Sequence, residues 1–231
     1  MKLGIMQPYF LPYIGYFQLI NAVDKYVIYD NIEYTKKGWI NRNRILMNGK
    51  DFLISLPLKK DSDYKFVCER ELSSDYQPKK LLGQIRSSYV KAPYFKEVNP
   101  LLESILYYDQ TNLFTYILHS VKAINHYAGI QTELVVSSSV NIDHQLKSED
   151  KVLAICKALD ADSYYNAIGG MELYSKERFQ NAGIDLNFLK SDDIQYKQFN
   201  HTFVPWLSII DVLMFNSKEE FSILLNKYTL Q

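Results

Sequence analysis

The tightest constraint on this chain lies in its first thirty residues. Residues 3–7, Leu-Gly-Ile-Met-Gln, read as a short buried strand. Two prolines then bend the chain, and Pro12 suits the first position of a helix, where its missing N–H costs nothing. From Tyr13 onward, Ile14, Phe17, Leu19 and Ile20 recur at helical spacing as far as Val23. Tyr26-Val27-Ile28-Tyr29 follows as a second strand, closed by Asp30. A β-α-β unit this short crosses over in the right-handed sense, so its two strands run parallel. The chain is thereby committed to an α/β fold.

Residues 31–72 differ in character. A polar, basic stretch leads into two apolar runs flanking Asn48-Gly49, a strong hairpin signal. The alternation in "YKFVCERELS" predicts a further strand, so this segment is expected to be an antiparallel insertion beside the parallel sheet. Residues 74–129 are expected to be mainly helical. Ser74 suits a helix cap ahead of Leu81, Leu82, Ile85 and Tyr89. Pro93 opens a helix with a break expected at Pro100, and residues 111–128 form an apolar-striped helix ended by Gly129. Strand–helix alternation then returns, with strands in "TELVVSS", "SYYNAI" and "IDLNFLK". Helices are expected in "SEDKVLAICKALD", "SKERFQNAG" and "SKEEFSILLNKY", and from Pro205 in "PWLSIIDVLMF". The whole is expected to be a single α/β domain over residues 1–231. Its sheet is Rossmann-like and mostly parallel, with helices on both faces.

The 26 Lys and Arg balance the 26 Asp and Glu, so no global field steers the chain to nucleic acid or acidic lipid. No apolar run approaches the length of a membrane span. Cys68 and Cys156 do not make a disulfide framework, and a cytoplasmic location is expected. Tyrosine, at 19 residues, is over-represented; it offers apolar contact with a hydrogen-bonding tip.

Ligands of open parallel sheets bind beyond the carboxyl ends of the strands. Gln7 and Tyr9 fall at that end of the first strand, and the next helix aims its free N–H groups there. Gln7 is expected to read an amide or ring edge, and Tyr9 and Tyr13 to contact a base or sugar. Phe10, Tyr16 and Phe17 are expected only to wedge the helix onto the sheet. A second constellation follows strand two: Lys36, Lys37, Arg42 and Arg44 around Trp39, with Asn41 and Asn43 interleaved. Arg42 and Arg44 share a face of a strand, and each guanidinium is able to grip a phosphate through two hydrogen bonds. Gly169-Gly170 permits close approach of backbone to ligand. Asp30 and His201 are candidate bases. His119 and His126 are seven residues apart, without a carboxylate pattern, so no metal site is expected. His144 is expected to be solvated, Cys156 to be core, and Asp211, in an apolar helix, to tie down a loop.

Three segments, "MQPYFLPYIGYFQLI", "YDNIEYTKKGWINRNRI" and "FVPWLSIIDVLMFN", resemble the signature segments of the WbqC-like family. The order of segments matches over nearly the whole chain. The resemblance implies a place in bacterial surface-polysaccharide (O-antigen) gene clusters and a role as a glycine or other acyl transferase. The chain departs from the family pattern at Asn31, where an acidic residue is usual, and at Met171-Glu172, where a basic residue follows the glycines. The opening strand–turn–helix is also similar to nucleotidylyltransferase-like folds, but without their paired histidines.

The expected activity is therefore acylation or aminoacylation of the amine of a nucleotide-linked amino sugar. Arg42, Arg44 and Lys36 would hold its phosphates. Tyr9, Tyr13 and Trp39 would contact its base or sugar. Acyl-CoA, or ATP with an amino acid, is the open choice of donor. A nucleotidyltransferase-like enzyme and a non-catalytic scaffold of the same pathway are the alternatives, and self-association into a homo-oligomer stays open.

Overall fold

The computed structural model describes residues 1–62, 64–200 and 202–231. Strand β1 (Lys2–Met6) leads through α1 (Ile14–Asn21) to β2 (Lys25–Ile28), as the opening segment predicts. The hairpin β3 (Arg42–Met47) and β4 (Lys50–Ser55) turns at Asn48-Gly49, both at positive φ. Three helices follow: α2 (Pro78–Tyr89), α3 (Phe95–Leu106) and α4 (Leu113–Ala128). The α/β alternation then resumes with β5 (Glu133–Val136), α5 (Ser148–Ala158), β6 (Ser163–Ala167), α6 (Lys176–Asn181) and β7 (Asp185–Ser191). The chain closes with α7 (Ile209–Phe215), α8 (Lys218–Leu225) and β8 (Tyr228–Leu230).

The main sheet runs β5-β2-β1-β6-β7-β8, all parallel except β8, which pairs antiparallel with β7. This is the order of a doubly wound fold, in which the chain builds outward from β1 on one side and then crosses to the other. The switch point is therefore the crevice between the carboxyl ends of β1 and β6. Alternation along the strands sends Leu3, Ile5, Val27 and Tyr164 to one face, against Val152, Ile155 and Cys156 of α5 and Phe179 of α6. Tyr26, Ile28 and Tyr165 face the other way, into the larger cluster that α1 fills with Phe17, Leu19 and Ile20. Each such fully buried side chain contributes about 1.5–3 kcal/mol relative to exposure.

Helix α1 is buried from Ile14 to Ile20, including a polar residue, Gln18. Its Nε2 donates to the carbonyls of Leu224 and Lys227, at 2.8 Å each, fastening the first helix to the last turn of the fold. Asp211 is wholly buried. It accepts from the Tyr89 hydroxyl at 2.8 Å, the Tyr196 hydroxyl at 2.6 Å and Gln198 Nε2 at 2.6 Å. The Tyr89 hydroxyl also accepts from the Leu46 N–H at 2.8 Å. One carboxylate thus joins α2, the hairpin and the loop ahead of α7.

Several local expectations are corrected. The segment expected as a third antiparallel strand instead folds as a 3-10 turn, Val67–Glu69, whose Glu69 carboxylate accepts from the Phe66 N–H at 2.8 Å. The insertion is otherwise as expected, an antiparallel pair beside the main sheet and a two-stranded sheet of its own. Helix α2 starts at Pro78 with Gln77, not Ser74, at the cap. Helix α3 passes through Pro100 unbroken. The proline forfeits one hydrogen bond, to the Lys96 carbonyl, while Val98, Leu102, Ile105 and Leu106 all bury around it. Helix α7 begins at Ile209 rather than Pro205, because Trp206 sits at φ 59° and the Ser208 hydroxyl accepts from the Ile210 N–H. Strand β8 follows α8 without a sequence signal.

Candidate functional site

A cleft of about 1410 Å³ opens at the switch point. Its floor is the carboxyl ends of three strands: Met6 at the end of β1 and Gln7 next to it, Tyr29 and Asn31 after β2, and Asn166 and Ala167 from β6. The first turn of α5, residues 147–151, forms one wall.

The aromatic residues of the opening segment are arranged by their neighbours. The Tyr16 hydroxyl donates to the Gln7 carbonyl at 3.1 Å, and the rings of Tyr9 and Tyr16 lie 5.8 Å apart. The Tyr13 ring folds back over Gly15, so closely that a Cβ at residue 15 would collide with it. It packs 5.6 Å from the ring of Trp206, which is 69% exposed and lines the same cleft. Burial raises the Tyr9 and Tyr13 phenols above their usual range, and brings that of Tyr29 to about 12. All three therefore remain neutral hydroxyls at physiological pH, able to donate as well as accept.

Seven of the residues singled out from the sequence meet here: Gln7, Tyr9, Tyr13, Trp39, Asn43, Gly169 and Gly170. Asn43 is fixed by donating to the carbonyls of Phe10 and Leu11, at 3.2 and 2.8 Å. Gly170 lets the Asn166 amide lie against it; a Cβ there would sit 2.7 Å from Asn166 Nδ2.

The basic cluster does not join them. Lys36, Arg42 and Arg44 are not part of the cleft lining. The Arg42 guanidinium turns back on its own loop, donating to the carbonyls of Gly38, at 2.8 Å, and Lys37. Arg44 pairs with Asp51 at 3.5 Å. Both guanidiniums lie over the Trp39 ring, at 6.0 and 5.1 Å from its centroid. These arginines brace the tryptophan, and their guanidiniums are engaged outside the residues that line the cleft. Asp30 is buried behind the wall and accepts from the Ser138 N–H at 2.9 Å. His201 lies outside the described residues.

Other residues enter the site unannounced by the sequence. His144, exposed as expected, lines the cleft. Its Nε2 donates to the Val140 carbonyl at 3.0 Å, leaving Nδ1 to accept from Asn31 Nδ2 at 2.9 Å. Lys151 is only 4% exposed. Its Nζ lies 4.9 Å from the Tyr29 ring centroid and 3.5 Å from the Asn31 carbonyl. Burial lowers its pKa, and the nearby Asp30 charge opposes that shift. The signal for Lys151 was present, since it lies four residues before the core residue Ile155 on a helix, hence on the same face. Glu33 and Glu172, both exposed, are also among the residues that line the cleft. Burial pushes the Cys68 thiol up to about 11 and that of Cys156 to about 12, so neither is a ready nucleophile. Among the described residues, no group of three or more His, Cys, Asp or Glu side chains is placed to hold a metal ion, and no helix is long and apolar enough to cross a membrane.

A family model described as the WbqC-like protein family matches residues 7–223. A protein of Mycobacterium tuberculosis (strain ATCC 25618 / H37Rv), named "Uncharacterized protein Rv1507c", is 30% identical over 217 residues, covering 92% of each chain. No solved structure matches.

Proposed function

The chain belongs to the WbqC-like protein family, and from that premise we propose that it is a transferase of bacterial surface-polysaccharide biosynthesis. It acylates or aminoacylates the amine of a nucleotide-linked amino sugar. The observation that carries this reading is the cleft: it lies at the switch point, where doubly wound folds take nucleotides, and its lining includes Tyr9, Tyr13, Trp39 and Trp206. Aromatic faces stack on bases and sugars, and at about 1410 Å³ the cleft exceeds what a single drug-sized ligand needs.

The step requires a base and an oriented acceptor. The sugar amine attacks the carbonyl carbon of the acyl donor, forming the C–N bond. Collapse of the tetrahedral intermediate breaks the bond to the leaving group, a thiolate from an acyl-CoA or AMP from an aminoacyl-adenylate. The amine proton passes to a carboxylate. Glu33 takes that role in place of Asp30, because Glu33 is an exposed residue of the cleft lining while Asp30 is buried and accepts from the Ser138 N–H.

The test is product mass. UDP-, dTDP- and GDP-linked amino sugars are incubated with acyl-CoA, or with ATP and glycine. One pair should yield a sugar heavier by the acyl group, with turnover at least about 100-fold lower in Glu33→Gln. Nucleotide sugars that stabilise the protein but gain no mass with any donor would make it a binding protein instead.

A further inference from the structure

Lys151 is a buried cation at the cleft with few partners. An ammonium carries three N–H donors, and a buried charge needs partners. Among the described residues its one hydrogen-bond acceptor is the Asn31 carbonyl, at the 3.5 Å limit of a hydrogen bond, supplemented by the Tyr29 ring face. No carboxylate forms an ion pair with it among the described residues; Asp30, the nearest acid acting on it, already accepts from the Ser138 N–H. Lys151 is among the residues that line the cleft, and its remaining donors have no further acceptor among the described residues.

Helix α5 presents its N-terminus to the same space. Its cap residue, Lys147, makes no side-chain cap, and Lys147 and Ser148 line the cleft beside Lys151. The first turn also carries Glu149 and Asp150, which would repel an anion if left free. Arg178 engages both and offsets one of the two charges: Glu149 accepts from Arg178 and the Ser175 N–H, each at 2.6 Å, and Asp150 accepts from Arg178 at 2.5 Å, so that Lys147 and Lys151 outweigh the single negative charge left over. By contrast, the start of α1, where a doubly wound fold ordinarily cradles a diphosphate, is covered by the Tyr13 ring.

We infer that Lys151 and the uncapped first turn of α5 form the oxyanion subsite of this cleft, built for a phosphate or diphosphate group. The inference rests on the reading of the cleft as a nucleotide-sugar site for its biological ligand, but not for its chemistry. The helix supplies backbone N–H groups and the positive end of its dipole, and Lys151 supplies the full charge. The subsite replaces the arginine pair of the hairpin as the place where the ligand's negative charge is held.

The probe is inorganic pyrophosphate, with UDP as a second anion and uridine as the uncharged control, read by thermal shift and calorimetric titration. Pyrophosphate and UDP should raise the melting temperature of the wild-type chain, and uridine should do so much less. Lys151→Met keeps the length of the buried side chain and removes its charge; it should fold and bind pyrophosphate at least tenfold more weakly. Lys151→Arg should retain part of the affinity, and Arg44→Ala should match wild type. Wild-type affinity in Lys151→Met, or no stabilisation of the wild-type chain by pyrophosphate, overturns the subsite. Pyrophosphate binding that depends on Lys151 in a protein that acylates no sugar keeps the subsite and removes only the transferase reading. Turnover and pyrophosphate affinity that both survive Lys151→Met do the reverse.

Discussion

The Tyr13 ring occupies the space that a side chain on Gly15 would need. The two residues define the mouth of the cleft together. Alanine is the better helix former by about 1 kcal/mol, so Gly15→Ala in isolation from Tyr13 would stabilise α1. In the native chain it must instead drive the phenol off Trp206, an overpacking effect of about 1–3 kcal/mol. Gly15→Ala should therefore destabilise the wild-type chain and stabilise the Tyr13→Ala chain. A double-mutant cycle by urea denaturation reads that reversal of sign. The same sign in both backgrounds would mean that Tyr13 moves aside freely.

The Asp211 carboxylate gathers three donors from separate parts of the chain. Asp211→Ala strands the hydroxyls of Tyr89 and Tyr196 and the amide of Gln198 in the core, which should cost about 3 kcal/mol or more. Tyr196→Phe removes one donor and leaves the other two in place, so it should cost about 1 kcal/mol.

Acid should reveal the same group. Burial raises the Asp211 pKa above its ordinary value, and the three hydrogen bonds oppose the shift without cancelling it. The folded protein thus holds this proton more tightly than the unfolded chain does. The corresponding stability is fully present below the unfolded value of about 3.9 and is lost as pH rises through the raised folded value. Asp211→Asn does not titrate. Its stability relative to wild type should therefore worsen on acidification across that window, measured from urea midpoints at stepped pH. A gap that does not vary with pH would place the carboxyl at its ordinary value.

Trp39 and its arginines should separate in binding assays. The ring lines the cleft, whereas Arg44 is engaged with Asp51 outside it. Trp39→Ala should weaken nucleotide-sugar binding by about tenfold, the loss of one stacking contact of about 1–3 kcal/mol. Arg44→Ala should change it by less than about twofold. Equal losses would return the guanidiniums to the ligand.

Gly170 and Asn166 are a second tight pair. Gly170→Ala presses on the Asn166 amide, which should displace it and lower ligand affinity with little effect on the melting temperature. Asn166→Ala combined with Gly170→Ala should remain folded and lose no more affinity than Asn166→Ala alone.

The scaffold was legible because it is written in apolar runs. The strand Lys2–Met6, the stripe of α4 and the Asn48-Gly49 turn each carry a local signal strong enough to stand without tertiary help. Strand β8 carries none: Tyr228–Leu230 is short and largely exposed, and exists only because β7 offers an edge. The site was half legible. Residues that follow directly from a strand end, such as Gln7 and Tyr9, fell where the fold rule put them. The arginines lie outside the cleft lining, because a count of cations does not include the carbonyls and carboxylates that engage them; Arg42 found Lys37 and Gly38, and Arg44 found Asp51. Lys151 was legible only as a position: its spacing from Ile155 puts it on the inner face of the helix, but a lysine ordinarily reaches water, and it is the packing of α5 against Tyr29 that keeps this one from it.

Gln18 reaches across more than two hundred residues for its two acceptors. A ribosome delivers α1 long before it delivers Leu224 and Lys227, and β1 waits for β6 with one flank open. Throughout that interval the nascent chain carries an unanswered amide in its future core and a bare strand edge, the kind of template on which neighbouring chains mispair. Release from the ribosome, and shelter by chaperones until then, should govern the yield of native protein more than its equilibrium stability does.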